Sequence, residues 1–141
     1  MANVRIRRLD PGTAGIAASL YATSGKSVET DAMRAFLADR SNWFLAGFID
    51  ERVAGYLYGY VVARPDQPRP RFLLYDLAVT LTQRRQGVAT ALVAELRAEM
   101  TKQRARVFLK AQRSNEGALA FYKSVGAIEQ QGEEVVLVLP R

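Results

Sequence analysis

The chain contains no cysteine and no histidine. The first absence excludes disulfides, a thiol nucleophile and thiolate metal sites. The second excludes more. No serine–histidine or cysteine–histidine machine can be built, and histidine metal sites are excluded with it, so no metal is expected. A general base must then be a carboxylate, a tyrosine, a lysine, a backbone group or a water. Long apolar runs are missing too: no segment reaches the roughly 18 consecutive apolar residues of a membrane span. The first ten residues lack the apolar stretch of a signal peptide. A cytoplasmic location and no membrane partner are the expectation.

What is present fits one folded domain over residues 1–141, with 49% hydrophobic and 24% charged residues. The net charge is +6. A basic surface suits nucleic acid, a membrane or a polyanionic cofactor. Here the arginines are dispersed, from Arg5, Arg7 and Arg8 through Arg64, Arg69 and Arg71 to Arg104 and Arg106. No exposed aromatics interleave them, so nucleic acid is not the expected partner. Solubility alone accounts for the charge.

Asn3 to Arg8 alternates as a short strand. Asp10 and Pro11 suit an N-cap and first turn, and Ile16, Leu20 and Tyr21 have helical spacing. Met33, Phe36 and Leu37 predict a second helix ending near Arg40. Trp43 to Ile49 and Val53 to Ala63 read as strands around a tight turn at Asp50-Glu51. Gly55 and Gly59 predict a bulge or a close neighbour in the second of them. Pro65, Pro68 and Pro70 predict a stiff loop. Phe72 to Val79, apolar on both faces, reads as a central strand. Val88, Leu92, Leu96 and Met100 recur every fourth residue and predict a helix over Gln86 to Met100. Arg106 to Lys110 reads as a strand. Asn115 caps a helix to about Ser124, Gly126 ends it, and Val135 to Leu139 reads as a last strand. Helices among strands predict an α/β class with a mixed sheet and helices on both faces.

Between the apolar strand and the best helix lies Arg84-Arg85-Gln86-Gly87-Val88-Ala89-Thr90. The first N–H groups of a helix lack internal partners and carry partial positive charge. A pyrophosphate can accept from them. Gly87 and Ala89 keep side chains out of its way, and Arg84 and Arg85 add cationic donors. The alternative is a helix start with two solvated arginines. The Gly-Lys-Ser/Thr of a Walker loop and the Gly-x-Gly-x-x-Gly of dinucleotide folds are both absent.

Arg84-Arg85-Gln86-Gly87-Val88-Ala89 resembles the coenzyme A signature of the GNAT superfamily of N-acetyltransferases, Arg/Gln-x-x-Gly-x-Gly/Ala. The likeness extends in element order over nearly the whole chain. Tyr75-Asp76-Leu77-Ala78-Val79 followed by Arg84-Arg85-Gln86-Gly87, with Gln67-Pro68-Arg69 before them, resembles the type I aminoglycoside 3-N-acetyltransferases.

The resemblance implies a GNAT fold, with a mostly antiparallel sheet splayed at the acetyl-CoA site. It implies acetyl-CoA as co-substrate and direct transfer to an amine in a ternary complex. It places pantetheine against the backbone of Leu77, Ala78 and Val79, where one N–H could face the thioester oxygen. It puts Arg84 to Thr90 at the pyrophosphate. It makes the Asn115–Tyr122 segment a second coenzyme-binding helix, with Asn115, Ala118, Phe121, Tyr122 and Lys123 as contacts. Asn115 is equally a simple cap, Phe121 a core residue and Lys123 a solvated one. The resemblance also admits a homodimer.

Asp76 and Tyr122 are the catalytic candidates. A carboxylate among apolar neighbours is costly unless paired or hydrated. Asp76 either opens onto a polar cleft or satisfies internal donors. In a cleft it can hold an ammonium and accept its proton. Tyr122 either protonates the departing thiolate or packs as a core aromatic.

The fold the resemblance implies places the acceptor near residues 23–31 and 129–134. There Glu29, Asp31, Glu129, Glu133 and Glu134 join Asp76 as acids able to attract a cationic small-molecule amine, or stand as solvated loop charge. Trp43 and Tyr58 either line that site or pack in the core. An aminoglycoside acetylated at a 3-amino position is the expected acceptor. A peptide or protein amine, a polyamine, and a non-catalytic coenzyme A-binding module are the alternatives.

Overall fold

Strand β1 (Val4–Arg8) opens the chain, and a short 3-10 turn (Pro11–Thr13) leads into α1 (Ala14–Ala22) and α2 (Thr30–Ala38). The structure, a computed structural model, describes residues 3–80, 83–130 and 137–141. Strands β2 (Asn42–Ile49), β3 (Arg52–Arg64) and β4 (Gln67–Val79) follow, then α3 (Val88–Lys102), β5 (Arg106–Leu109) and α4 (Glu116–Ser124). Two compact units result, Met1–Lys110 and Ala111–Arg141.

The first unit holds a five-stranded sheet in the order β1-β2-β3-β4-β5. The first three pairings are antiparallel and the last is parallel. The mixed sheet with helices on both faces is the one the sequence predicts. One face carries α1 and α2 on Phe44, Ala46, Phe48, Tyr56 and Tyr58, with Ala14, Ala17, Leu20, Met33 and Leu37 coming down from the helices. Ile16, predicted to join the stripe of α1, is exposed; the small Ala14 and Ala17 take that place and bring the helix close to the sheet.

The other face carries α3. Its stripe is the predicted one, Val88, Leu92, Leu96 and Met100, with Val93 added. The approach is close at Val88. A Cβ at Gly47 would stand 2.9 Å from the Val88 side chain, and one at Gly55 3.2 Å from it and 2.7 Å from the Ala78 carbonyl oxygen. Two glycines therefore let the start of α3 seat directly on the sheet.

Asp50 and Glu51 form the tight turn between β2 and β3, both at positive φ, 48° and 67°. The proline segment differs from the prediction. Only Pro65 and Asp66 turn, and Pro68 and Pro70 lie within β4. β5 pairs with β4 over Arg71–Leu74 alone, so the two prolines sit where that edge needs no N–H donor.

The bulge predicted around the glycines of β3 is present. Register shifts between Tyr58 and Gly59, because Tyr58 pairs with Asp76 while Gly59 pairs with Leu74. Tyr75 is the extra residue. A Cβ at Gly59 would fall 2.2 Å from the Leu73 carbonyl oxygen, so no larger residue fits there without the strands moving apart.

In the second unit Asn115 caps α4, accepting from the Ala118 N–H at 3.1 Å, and Gly126 follows the helix at φ 100°. The predicted last strand falls partly outside the described residues. Its described part, Leu137 to Leu139, forms no strand and is exposed.

Candidate active site

Alternation along β4 ought to put Asp76 on the same side as Leu74, which is buried with Phe72 on the α3 side. The bulge at Tyr75 reverses this. Asp76 pairs with Tyr58 and Ala78 with Tyr56, so both face the side of α1 and α2. One inserted residue thus takes a carboxylate out of an apolar core and sets it among tyrosines.

There Asp76 is well supplied with donors. The Tyr56 hydroxyl donates to Oδ2 at 2.8 Å, and Lys26 Nζ donates to the same oxygen at 2.9 Å. Ser24 Oγ lies 2.7 Å from the Tyr56 hydroxyl oxygen. Tyr56 spends its one proton on Asp76 and so accepts from Ser24, whose single hydroxyl proton is shared with the Tyr21 carbonyl oxygen 2.9 Å away. Burial raises the Tyr56 phenol well above its ordinary value. Tyr56 is therefore a fixed donor at neutral pH and not a base. The hydrogen bond from Lys26 to Asp76 raises the Lys26 ammonium above its usual range and keeps it charged.

Ser24 reaches Tyr56 and Lys26 reaches Asp76 from the segment that follows α1. Gly25 adopts φ 83°, which turns the chain just past the helix. Lys26 Nζ also lies 5.4 Å from the centroid of the Tyr21 ring, within range of a cation–π contact. The ammonium thus has a carboxylate on one side and an aromatic ring on another.

Next to this pair opens a cavity of about 320 Å³, lined by Tyr21, Val28, Ala32, Met33, Phe36, Phe44, Tyr58 and Tyr60. Its rings are ordered. Tyr58 stacks on Phe44 at 6.1 Å and meets Tyr21 and Phe36 edge-on, each at 5.8 Å. The exposed Tyr75 joins from the bulge, 5.6 Å from Tyr58 and 5.9 Å from Tyr60. The cavity offers flat apolar walls, tyrosine hydroxyls and one carboxylate at its margin.

A second feature lies where β4 leaves its neighbour. Pairing with β5 stops at Leu74, yet β4 runs on to Val79. The Thr80 N–H donates to the Ala54 carbonyl at 2.8 Å. By alternation, Ala78 also turns its backbone groups toward β3, while Leu77 and Val79 turn theirs the other way. Within Leu77–Val79, the stretch the resemblance implied for pantetheine, the outward-facing backbone groups are thus those of Leu77 and Val79.

Beyond Thr80 the chain reaches the predicted anion seat. Arg85 and Gly87 both have positive φ, 64° and 83°, and Gly87 caps α3. The helix begins at Val88 and not at Gln86, because the left-handed Gly87 cannot continue a helix backwards. The first helical bond runs from the Ala91 N–H to the Gly87 carbonyl at 2.9 Å. The N–H groups of Val88, Ala89 and Thr90 precede it and have no carbonyl within the helix. Arg84, Arg85 and Gln86 are exposed. A Cβ on Gly87 would meet nothing within 4 Å, so the space before the helix is open. Unpaired N–H groups, a dipole end, nearby guanidinium groups and open space suit a polyanion such as a pyrophosphate.

Glu29 stands exposed at the N-cap position of α2 without a side-chain cap bond, and Asp31 is exposed and ion-paired with Arg34. Glu129, in the second unit, is ion-paired with Arg113. Glu133 and Glu134 lie outside the described residues. Trp43 packs under the guanidinium of Arg8, 3.4 Å from the ring centroid, and is not part of the cavity. Tyr58 lines it. On α4 of the second unit, Phe121 and Tyr122 meet edge-on at 5.3 Å and are half-buried; Ala118 is half-buried and Lys123 exposed.

Residues 15–127 match the Acetyltransferase (GNAT) family. A sequence search of curated proteins finds no match. Among solved structures the chain is similar to an aminoglycoside acetyltransferase from an uncultured soil metagenomic sample, in complex with sisomicin. That likeness has TM-score 0.83 and 21% identity over 97% of each chain. It is also similar to a ribosomal-protein-alanine N-acetyltransferase from Brucella melitensis biovar Abortus 2308. There the TM-score is 0.78 and the identity 21%, over 96% of this chain and 100% of the other. A third is an aminoglycoside N-acetyltransferase of the 6′ type in complex with CoA, with TM-score 0.79 and 16% identity over 100% and 97% of the chains. At these identities the likeness is one of fold.

Proposed function

The chain belongs to the Acetyltransferase (GNAT) family, and from that premise we propose that it transfers the acetyl group of acetyl-CoA to a cationic primary amine held at Asp76. Acetyl-CoA, the co-substrate of the family, supplies the acetyl group as an activated thioester. The N–H groups at the start of α3, with Arg84 and Arg85, hold its phosphates. Leu77 and Val79 offer their backbone groups to its pantetheine arm. One of those N–H groups meets the negative charge that develops on the thioester oxygen, an interaction worth about 2.7–4 kcal/mol where it has been measured in a hydrolase.

The observation that carries the acceptor class is the ammonium already bound at Asp76. The carboxylate holds Lys26 at 2.9 Å with a ring beside it, so an acceptor ammonium finds its recognition elements in place. An amine of pKa near ~10.4 is protonated at neutral pH and cannot attack. Asp76 takes its proton, directly or through a water, while the Tyr56 hydroxyl holds the carboxylate in place through Oδ2.

An aminoglycoside is the acceptor we favour. Its sugar rings have apolar C–H faces that fit flat aromatic walls, and its amines are cationic. The motif likeness around Asp76 and Gly87 and the neighbour that binds sisomicin both support this reading. Attack by a 3-amino group is its finer form and rests on the motif likeness alone, since another neighbour is of the 6′ type. The neighbour that acts on a ribosomal-protein alanine supports a peptide amine as the second reading. Thiol release from acetyl-CoA with gentamicin, spermidine and a lysine peptide separates them. Turnover with gentamicin above the others is expected. Turnover only with the peptide selects the second reading, and none with any amine refutes the proposal.

Tyr122 is the proposed acid that protonates the departing thiolate, since a phenol of pKa about 10 can donate as that charge forms. Tyr122→Phe is expected to lower kcat about 10²-fold with unchanged affinity for acetyl-CoA. An unchanged kcat in steady-state kinetics removes the assignment.

A further inference from the structure

We infer that Lys26 occupies the acceptor's own ammonium subsite and that an incoming amine must displace it. Lys26 is thereby a residue that sets acceptor affinity. The inference rests on the amine-acceptor reading and goes beyond it, because it assigns a role to a side chain outside the transfer chemistry.

Three observations carry it. First, the two groups form a close pair, Nζ to Oδ2 at 2.9 Å, although they lie 50 positions apart in the chain. Second, the environment of that ammonium is the one an acceptor needs, a carboxylate and a Tyr21 ring face at the margin of the aromatic cavity. Third, the two partners differ in exposure. The Lys26 side chain is 46% exposed and that of Asp76 19%. Lys26 stands on the segment between α1 and α2, after the turn at Gly25, on four methylenes that let its ammonium leave without moving a helix. Asp76 is held on a sheet strand by Tyr56 and stays.

The electrostatic consequence follows directly. With Lys26 in place the Asp76–Lys26 pair is neutral, and a monoamine gains little by entering. An acceptor with several ammonium groups brings enough charge to compete, and Lys26 then turns to solvent. The residue selects polycationic acceptors over single amines and keeps the carboxylate masked when none is bound.

The test compares Lys26→Met and Lys26→Arg with the wild-type chain. Two probes are used: the most active amine of the panel, and n-butylammonium, which is a lysine head without its backbone. Lys26→Met is expected to lower the KM of the amine about fivefold and to tighten n-butylammonium by a similar factor in ligand-observed NMR. Lys26→Arg, which keeps the cation, stays near wild type. The gain disappears in the Lys26→Met/Asp76→Asn double variant, as two groups acting on one site require. The KM of acetyl-CoA does not move.

If Lys26→Met leaves both the amine KM and n-butylammonium binding unchanged, or weakens them, Lys26 does not compete for the subsite. Absence of n-butylammonium binding to Lys26→Met overturns the inference as well. The two claims fail separately. A chain that acetylates no amine refutes the proposed function, and n-butylammonium still decides whether Lys26 blocks an ammonium site.

Discussion

Asp76→Asn is expected to lower kcat/KM for the acceptor amine by about 10²- to 10⁴-fold, the usual range for loss of a positioned base. Asparagine keeps the shape of the side chain and can still accept from Tyr56. It loses the charge that holds an ammonium, and it cannot take its proton. Two readouts separate this from a structural effect. Affinity for acetyl-CoA stays unchanged, because its proposed contacts are the backbone groups of Leu77 and Val79 and the seat at the start of α3, none of which the side-chain change removes. The pH–rate profile moves upward, because the variant depends on amine already deprotonated in solution, near ~10.4 for a simple alkyl amine. Stability changes little. The Lys26–Asp76 pair is partly exposed, and such pairs contribute about 0–1 kcal/mol. Unchanged kcat/KM in steady-state kinetics removes Asp76 from the chemistry.

Gly87→Glu is expected to weaken acetyl-CoA binding about 100-fold, through two effects that act together. Gly87 sits at φ 83°, and a residue with a side chain in the left-handed region costs about 1–2 kcal/mol. A carboxylate there also takes the place that the seat offers to phosphate. The N–H groups of Val88, Ala89 and Thr90 then serve the glutamate instead of the ligand. Gly87→Ala isolates the first effect and is expected to weaken binding about tenfold. A Cβ at this position meets nothing within 4 Å, so the alanine variant acts through backbone strain and not through a clash. Calorimetric titration with acetyl-CoA measures both. Binding by the glutamate variant at wild-type strength places the phosphates elsewhere.

The parts of this site that sequence makes legible are local ones. The stripe of α3 repeats every fourth residue, and Gly87 stands one position before it, so helix and seat could be read together. Asn115 and Gly126 bracket α4 by chemistry that needs no tertiary information. Gly55 and Gly59 announced a bulge or a close neighbour, and both are present.

What stayed hidden depends on parity and on distant partners. Asp76 follows Leu74 by two residues, and plain alternation puts them on one face. Only the insertion of Tyr75 separates them, and no residue type at that position signals it. Lys26 reaches Asp76 across 50 positions and lies in a segment with no periodicity. The aromatic cavity did leave a trace. Tyr56, Tyr58 and Tyr60 recur at every second residue of β3, a pattern that places three phenols on one face. Read as a stripe, not as separate core residues, they would have pointed to the cavity wall at Tyr58 and Tyr60 and to the partner of Asp76 at Tyr56. The acidic residues expected beside the acceptor stand differently from Asp76. Grouped by sequence they resembled a cation trap, while Asp31 and Glu129 are each paired with a neighbouring arginine.

The most direct test of the central claim is mass spectrometry of the amine after incubation with the chain and acetyl-CoA, with released thiol counted in the same sample. The account predicts one acetyl group gained by a primary amine for each CoA thiol released, with both signals lost together in Asp76→Asn. Thiol release without acetylated amine, or equal acetylation by Asp76→Asn, would contradict it.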